Sequence, residues 1–114
     1  MTKHYGHYET HVADGVLSVT LRGEIDHHSA VGIRCALDEE ITRIRPQKTV
    51  LDLSEIEFMD SSGLGLIMGR YSLMQRLGGV LTLKNPNERI VKIFELAGLG
   101  RVVRIEIEGE EGKA

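Results

Sequence analysis

The sequence has 114 residues, 41% of them apolar and 27% charged, and a formal net charge of -3. This composition is typical of a single globular domain and excludes a disordered or collagen-like chain. Three Tyr, two Phe and no Trp are too few for stacking on unpaired bases, and the negative charge disfavours binding to a phosphate backbone. We therefore expect proteins or small molecules as partners, with no nucleic acid and no membrane.

The first predicted element is a β-hairpin. Residues 7–12 and 16–23 alternate apolar and polar side chains on either side of Asp14-Gly15, a dipeptide that favours a tight turn. Nothing before the hairpin resembles the apolar core of a signal peptide, and no apolar run in the chain is long enough to span a bilayer. A cytoplasmic location is therefore expected.

An amphipathic helix follows the hairpin. Its apolar side chains recur at intervals of three and four residues, as one buried helix face requires; they are Ala30, Ile33, Leu37, Ile41 and Ile44. Asp26 is placed to cap the start of this helix by accepting backbone N–H bonds, and Pro46 ends it. Cys35 lies off the apolar row and has no second cysteine to pair with, so we interpret it as a packing residue.

A strand and a second helix are predicted next. Residues 49–53 are β-branched and largely apolar, like a short central strand that is buried on both faces of a sheet. From Leu64 onward, apolar residues keep helical spacing and cover more than a single stripe of the helix. Gly78-Gly79 ends this helix.

The last third of the chain predicts strand, helix and strand. Residues 80–84 form the strand, the segment 85–87 (Asn-Pro-Asn) starts the helix, Gly98 ends it, and residues 102–108 form the last strand. The alternation predicts an α/β fold: a mixed, mainly parallel sheet with an N-terminal β-hairpin and about three helices packed against it.

Two serines and two glycines mark the start of the second helix, in the stretch "FMDSSGLGLIMGRY" at residues 58–71. Asp60 occupies an N-cap position, and Ser61, Ser62 and Gly63 fall in the first helical turn, where free N–H groups favour negative charge. A phosphate would be tolerated there. The local pattern alone favours a plainer interpretation, in which the polar residues cap the helix and Gly63 permits close packing.

Three chemical interpretations of this region find little support. The stretch has neither the lysine of a phosphate-binding loop nor the Gly-x-Ser-x-Gly pattern of a hydrolase. A serine enzyme would need a base, and His27, His28 and Asp26 are candidates by residue type only. The histidines show no metal-ligand spacing; they are His4, His7, His11, His27 and His28. We expect no catalytic residue, metal or cofactor.

Three blocks of sequence resemble the anti-sigma factor antagonists, a family of STAS domains. They are "GEIDHHSA" at 23–30, "FMDSSGLGLIMGRY" at 58–71 and "LAGLGRVVRI" at 96–105. With the distances between them, the resemblance extends from the first strand to the last. "DHHS" followed at this distance by "FMDSSGLG" is most similar to the antagonists of the sporulation sigma-F pathway.

The resemblance implies a protein without catalytic activity that binds an anti-sigma factor, itself a serine kinase with bound ADP or ATP, and makes it release its sigma factor. The kinase phosphorylates the first serine of "DSSG", here Ser61, and a PP2C-type phosphatase reverses this. The implied partner-binding residues surround that serine; they are Asp26, Asp60, Ser62, Gly63, Leu64 and Gly65.

Other functions stay open at this point. Related antagonists serve stress-response pathways by the same logic, STAS domains associated with sulfate transporters suggest a small-ligand module, and the serine pair leaves an enzyme as a third alternative. We expect one STAS domain over residues 1–114, with a core of about 7–108 and a flexible tail at 109–114.

Overall fold

The computed structural model describes residues 2–4 and 6–107, with side chains from residue 6 onward. The strands are β1 (Thr2–His4), β2 (Tyr8–Ala13), β3 (Val16–Ile25), β4 (Lys48–Met59), β5 (Val80–Lys84) and β6 (Arg104–Glu106). The helices are α1 (His27–Ile44), α2 (Ser61–Arg76) and α3 (Glu88–Ala97), and a 3-10 turn at Leu99–Arg101 precedes β6. The predicted tail at 109–114 and the side chain of His4 lie outside what the structure describes.

All six strands form one sheet in the order of the chain. β1, β2 and β3 are antiparallel, whereas β3, β4, β5 and β6 run parallel, and each parallel pair is connected through a helix. Each of these crossovers advances one place in the same direction, so right-handed connections place the helices on one face of the sheet. The predicted α/β class and the N-terminal hairpin are confirmed, whereas β1 was not predicted.

The hydrophobic core lies between one sheet face and the helices. The strands contribute alternate buried residues, among them Leu17, Val19, Leu51, Leu53 and Leu83, and the helices contribute Ile33, Leu37, Ile41, Ile67 and Met74. On the opposite face, Val50 and Asp52 of β4 are only half-buried. The prediction that this central strand is buried on both faces is therefore wrong, because the helical layer covers only one of them.

β4 is more than twice as long as predicted and ends directly before Asp60. It carries one extra residue relative to β3 in each of two register shifts, between Thr20 and Arg22 and between Gly23 and Glu24. Bulges of this kind break the two-residue alternation of a strand. Its buried residues after Leu53 consequently recur every third position, at Ile56 and Met59, which conceals the strand from a search for alternation.

The helix boundaries largely agree with the sequence. Asp26, Asp60 and Asn87 are the N-caps of α1, α2 and α3, and Gly98 ends α3 with a positive φ. α1 ends at Ile44 and is followed by its C-cap Arg45, whose φ of 50° is left-handed, directly before the predicted Pro46.

Two predictions outside the helix ends are wrong. β6 is shorter than residues 102–108, because the 3-10 turn draws the N–H of Val103 to the Leu99 carbonyl at 3.0 Å; residue 108 lies beyond the part described. Cys35 is exposed rather than packed, since it lies on the face of α1 that points away from the sheet.

Candidate functional site

The N-termini of α1 and α2 lie side by side at one edge of the sheet. Ile25 of β3 is paired with Met59 of β4, and the next residue in each strand, Asp26 or Asp60, caps the helix that follows. The Asp60 N–H donates to the Ile25 carbonyl at 3.3 Å, which ties the two strand-to-helix junctions together. This edge is the carboxyl end of parallel strands, where α/β proteins commonly bind ligands and partners.

Asp26 caps α1 through a reciprocal pair of hydrogen bonds. Its Oδ1 accepts from the Ser29 backbone N–H at 2.9 Å, and the Ser29 Oγ accepts from the Asp26 N–H at 3.0 Å. The bond from the Ser29 N–H foremost, and a further one from the Ser29 hydroxyl to the carboxylate at 3.2 Å, lower the pKa of the Asp26 carboxyl because they favour its charged form. Asp26 is therefore a charged helix cap at neutral pH, and it remains accessible to a partner.

Asp60 caps α2, and the two serines that follow it differ in exposure. Its Oδ1 accepts from the Ser62 backbone N–H at 2.8 Å. Ser61, the first residue of the helix, is exposed, and no hydrogen bond of its hydroxyl is found in the part of the chain described, whereas Ser62 is half-buried and turns toward α1. An enzyme approaching from solvent can reach the Ser61 hydroxyl more easily than that of Ser62.

The two glycines of "SGLG" differ in their surroundings. A Cβ on buried Gly63 would overlap the Met59 side chain, whereas a Cβ on exposed Gly65 would meet nothing within 4 Å. Leu64 between them is half-buried and packs against the core. Gly63 therefore allows α2 to lie close to the end of β4, and Gly65 leaves a bare stretch of helix backbone open to solvent.

Exposed apolar side chains flank the paired helix ends on both sides. Phe58, near the end of β4, is 43% exposed, and Val31, on the second turn of α1, is 44% exposed. Large apolar side chains beside a polar centre are typical of protein-binding surfaces. The sequence analysis identified neither residue, because Val31 lies off the apolar row of its helix and Phe58 lies beyond the predicted strand at 49–53.

A small cleft separates α1 from α2 beside the serines. It has a volume of about 210 Å³ and is lined by His27, Ala30, Val31, Arg34, Ser62, Gly65 and Leu66. Sequence reasoning found Ser62 and Gly65 and missed the α1 side. The available signal was the four-residue spacing of Ala30 and Arg34, which matches that of Ser62 and Leu66 on the facing helix.

The arrangement gives little support for catalysis or metal binding. His27 lines the same cleft as Ser62, but no hydrogen bond between them is found among the side chains described. Within residues 6–107, no group of three or more His, Cys, Asp or Glu side chains could hold a metal ion. None of the helices described is long and apolar enough to cross a membrane. What the site offers is an exposed hydroxyl between two aspartate caps.

Comparison with known proteins places this geometry in context. Residues 7–114 match the family model of the STAS domain. The chain is 41% identical to the anti-sigma F factor antagonist of Paenibacillus polymyxa over 91 residues, which cover 80% of this chain and 78% of that protein. It is 33% identical to the anti-sigma-B factor antagonist of Bacillus subtilis (strain 168), over 84% of this chain and 86% of that protein.

A solved structure shows the same fold. The anti-sigma factor antagonist SpoIIAA in its unphosphorylated form superposes with a TM-score of 0.78 and 28% sequence identity, and the match covers 91% of each chain.

Proposed function

The chain belongs to the STAS-domain family of anti-sigma factor antagonists, and from that premise we propose a switch controlled by phosphorylation. The unphosphorylated protein binds an anti-sigma factor that is also a serine kinase and makes it release its sigma factor. The kinase transfers phosphate from ATP to Ser61, which ends binding, and a PP2C-type phosphatase restores it. The antagonist itself catalyses nothing, and the exchange takes place in the cytoplasm, where the kinase draws on cellular ATP.

The observation that carries this proposal is the exposure of Ser61 between two capped helix ends. A phosphoacceptor must enter the active site of another protein. Its hydroxyl must therefore be accessible, and the neighbouring residues must have small side chains. Ser61 is exposed, Gly65 leaves open space one turn further along α2, and Ser62 is partly covered by α1. The kinase would contact Asp26, Asp60, Ser62, Gly63, Leu64 and Gly65 around the acceptor.

Local electrostatics suffice for the switch. A phosphate on Ser61 adds about -1.5 to -2 charges at a helix N-terminus, whose free N–H groups tolerate an anion. The antagonist therefore need not refold. A change from nanomolar to micromolar affinity requires about 4.1 kcal/mol, and one like-charge contact at about 4 Å costs about 4 kcal/mol at an effective dielectric of 20. Repulsion between the new phosphate and an acidic group or nucleotide phosphate of the kinase would supply that amount.

We assign the sporulation sigma-F pathway to the protein, supported by its greater identity to the sigma-F antagonist of Paenibacillus polymyxa. The alternative is a stress-response pathway, and the 33% identity to the sigma-B antagonist of Bacillus subtilis favours it as the second candidate. A small-ligand function receives less support from the site, because the cleft beside Ser62 holds only about 210 Å³, below the usual range for ligand pockets.

A release experiment tests the function directly. The sigma-F anti-sigma kinase of the source organism, loaded with its sigma factor, is titrated with the unphosphorylated protein, and free sigma factor is measured. We expect release by the wild-type protein and none by Ser61→Asp at the same concentration. A parallel titration of the stress-response kinase decides between the pathways. Release from neither kinase would refute the proposed function.

A further inference from the structure

One positive charge at the cleft beside the serines has no partner in the part of the molecule described. Arg34 is exposed on α1, and none of the carboxylates described lies within ion-pair distance of it. Ser62 and Gly65 line the opposite wall of the same cleft. The Arg34 guanidinium therefore lies on the helix next to the Ser61–Gly65 surface. It can contact a protein that binds to that surface.

The two facing helix rows place a second cation close to Arg34. On α2, the row Ser62, Leu66 and Arg70 repeats every four residues, and on α1 the residues Ala30, Arg34 and Asp38 repeat in the same way, so each row lies along one helix face. Where the rows meet, the Arg70 Nε lies 2.9 Å from the Asp38 Oδ1. Asp38 thus pairs with Arg70, and Arg34 is close enough to Arg70 to repel it.

The two arginines differ in burial and in pairing. The Arg70 side chain is only 6% exposed, and its Nη1 has no hydrogen-bond partner. Burial lowers the pKa of Arg70, Arg34 adds to this by repulsion, and Asp38 opposes it. Asp38 therefore compensates the charge of the largely buried Arg70 guanidinium. Arg34 lies at the rim of the cleft without such a partner among the residues described, and an anion there would reduce the repulsion between the two arginines.

We propose that Arg34 determines partner specificity by pairing with a carboxylate side chain of the anti-sigma factor. This inference rests on the proposed function. The contact would be continuous with the Ser61 surface, because the cleft shares Ser62 and Gly65 with it, and exposed Val31 lies one turn before Arg34 on the same helix.

Charge order explains why such a contact would give specificity. The acidic caps Asp26 and Asp60 favour basic groups of the partner, whereas Arg34, on the other side of Ser62, favours an acidic one. A partner must therefore present a basic group and an acidic group in this order and at this spacing. A kinase with the two groups exchanged would place like charges against each other. The planar guanidinium fork suits a carboxylate, which it can bind through two parallel hydrogen bonds.

The test measures the Kd of the unphosphorylated protein for the anti-sigma kinase, with and without bound nucleotide. The variants are Arg34→Glu, Arg34→Lys and the control Arg89→Glu, which makes the same charge change at an exposed residue of α3. We expect at least about tenfold weaker binding for Arg34→Glu, a loss of the order measured for close interfacial charge pairs. Arg34→Lys should show a smaller loss and Arg89→Glu almost none. Unchanged melting temperatures exclude misfolding.

Several results would overturn the inference. Equal losses for Arg34→Glu and Arg89→Glu would indicate long-range attraction rather than a contact, and full affinity of Arg34→Glu would show that nothing anionic reaches Arg34. A loss seen only with nucleotide bound would identify a nucleotide phosphate as the anion instead of a carboxylate. Failure of the wild-type protein to bind would refute the proposed function itself, and that result is visible before any variant is compared.

Discussion

Asp26 directly follows Ile25, and Asp60 directly follows Met59, the residue of β4 that is paired with Ile25. Each aspartate caps the helix that begins after it. The register of β3 and β4 therefore decides that two helix N-termini and two carboxylates share one edge of the sheet. The paired bulges in β4 are part of this arrangement, since without its two extra residues Asp60 would not lie beside Asp26. The site is a consequence of strand pairing as much as of the serine motif.

Substitution of Ser61 separates the accepting hydroxyl from the binding surface. Ser61→Ala removes only an exposed hydroxyl, so we expect it to bind the kinase as the wild type does and to resist inactivation by ATP. Ser61→Asp places a permanent charge at the same point and should bind at least about tenfold more weakly, because the new carboxylate faces the kinase. Titration calorimetry with the anti-sigma kinase measures both. Tight binding by the Asp variant would contradict electrostatic blockade.

The two glycines of "SGLG" provide a matched pair of substitutions. Gly63→Ala forces a methyl group into the buried Met59 side chain, and we expect a loss of about 1–3 kcal/mol in the free energy of unfolding, as for other overpacked cores. Gly65→Ala adds its methyl in open space and should raise helix stability by about 0.5–1 kcal/mol. Urea unfolding measures both changes.

Gly65→Ala should change stability and binding in opposite directions. The methyl of Gly65→Ala stands on the surface that the kinase would cover, so the more stable variant should bind the kinase less tightly than the wild type. If Gly65→Ala bound the kinase with unchanged affinity, the open stretch of α2 would lie outside the interface.

Asp26→Asn separates the role of the Asp26 charge in binding from its role as the N-cap of α1. Asparagine and aspartate are about equally good N-caps, so the substitution should preserve α1 and lower the melting temperature only slightly at neutral pH, by the part that the ionised carboxylate contributes. Binding to the kinase should weaken, because the charge exposed at the paired helix ends is lost. A large fall in melting temperature would assign Asp26 a mainly structural role.

The pH dependence of stability follows from the lowered pKa of Asp26. Since the folded protein holds the ionised form more tightly than the unfolded chain does, the charge stabilises the fold above the unfolded pKa of about 3.9. This contribution is lost as the pH falls through the lower, folded value. In urea unfolding between pH 7 and pH 3, the stability difference between the wild type and Asp26→Asn should shrink toward the acid end. A difference that grows on acidification would contradict the assignment.

The Arg70–Asp38 pair offers a test of how α1 is held against α2. Asp38→Asn leaves the buried Arg70 without a compensating charge and should lower the free energy of unfolding by about 1–2 kcal/mol, less than the loss for a fully buried pair because Asp38 is 42% exposed. Arg70→Met together with Asp38→Asn removes both charges and should recover most of that loss. No recovery in the double variant would show that the two side chains do not interact.

The sequence predicted those features that depend on local chemistry. Helix caps depend on short polar side chains next to apolar periodicity, and Asp26 and Asp60 were found in this way, whereas for the third helix only the starting segment 85–87 was predicted. The contrast between exposed Ser61 and half-buried Ser62 could not be predicted, because it depends on how α1 packs beside α2.

Other features were hidden because tertiary contacts override local pattern. Beyond Leu53, β4 loses its alternation at the bulges, so its second half, which positions Asp60, was not recognised as a strand. Arg70 follows an apolar run and would be placed at the surface by its charge, yet the facing Asp38 allows its burial. Cys35 was interpreted as a packing residue, although its place on α1 exposes it.

Phosphotransfer shows whether Ser61 is the residue that the anti-sigma kinase modifies. The protein is incubated with the source organism's sporulation-type anti-sigma kinase and ATP, and added phosphate is located by mass spectrometry, with Ser61→Ala and Ser62→Ala as matched controls. We predict one phosphate on Ser61, its absence in Ser61→Ala and its presence in Ser62→Ala. Transfer to Ser62, or no transfer by a kinase shown to be active on its own antagonist, would contradict the account.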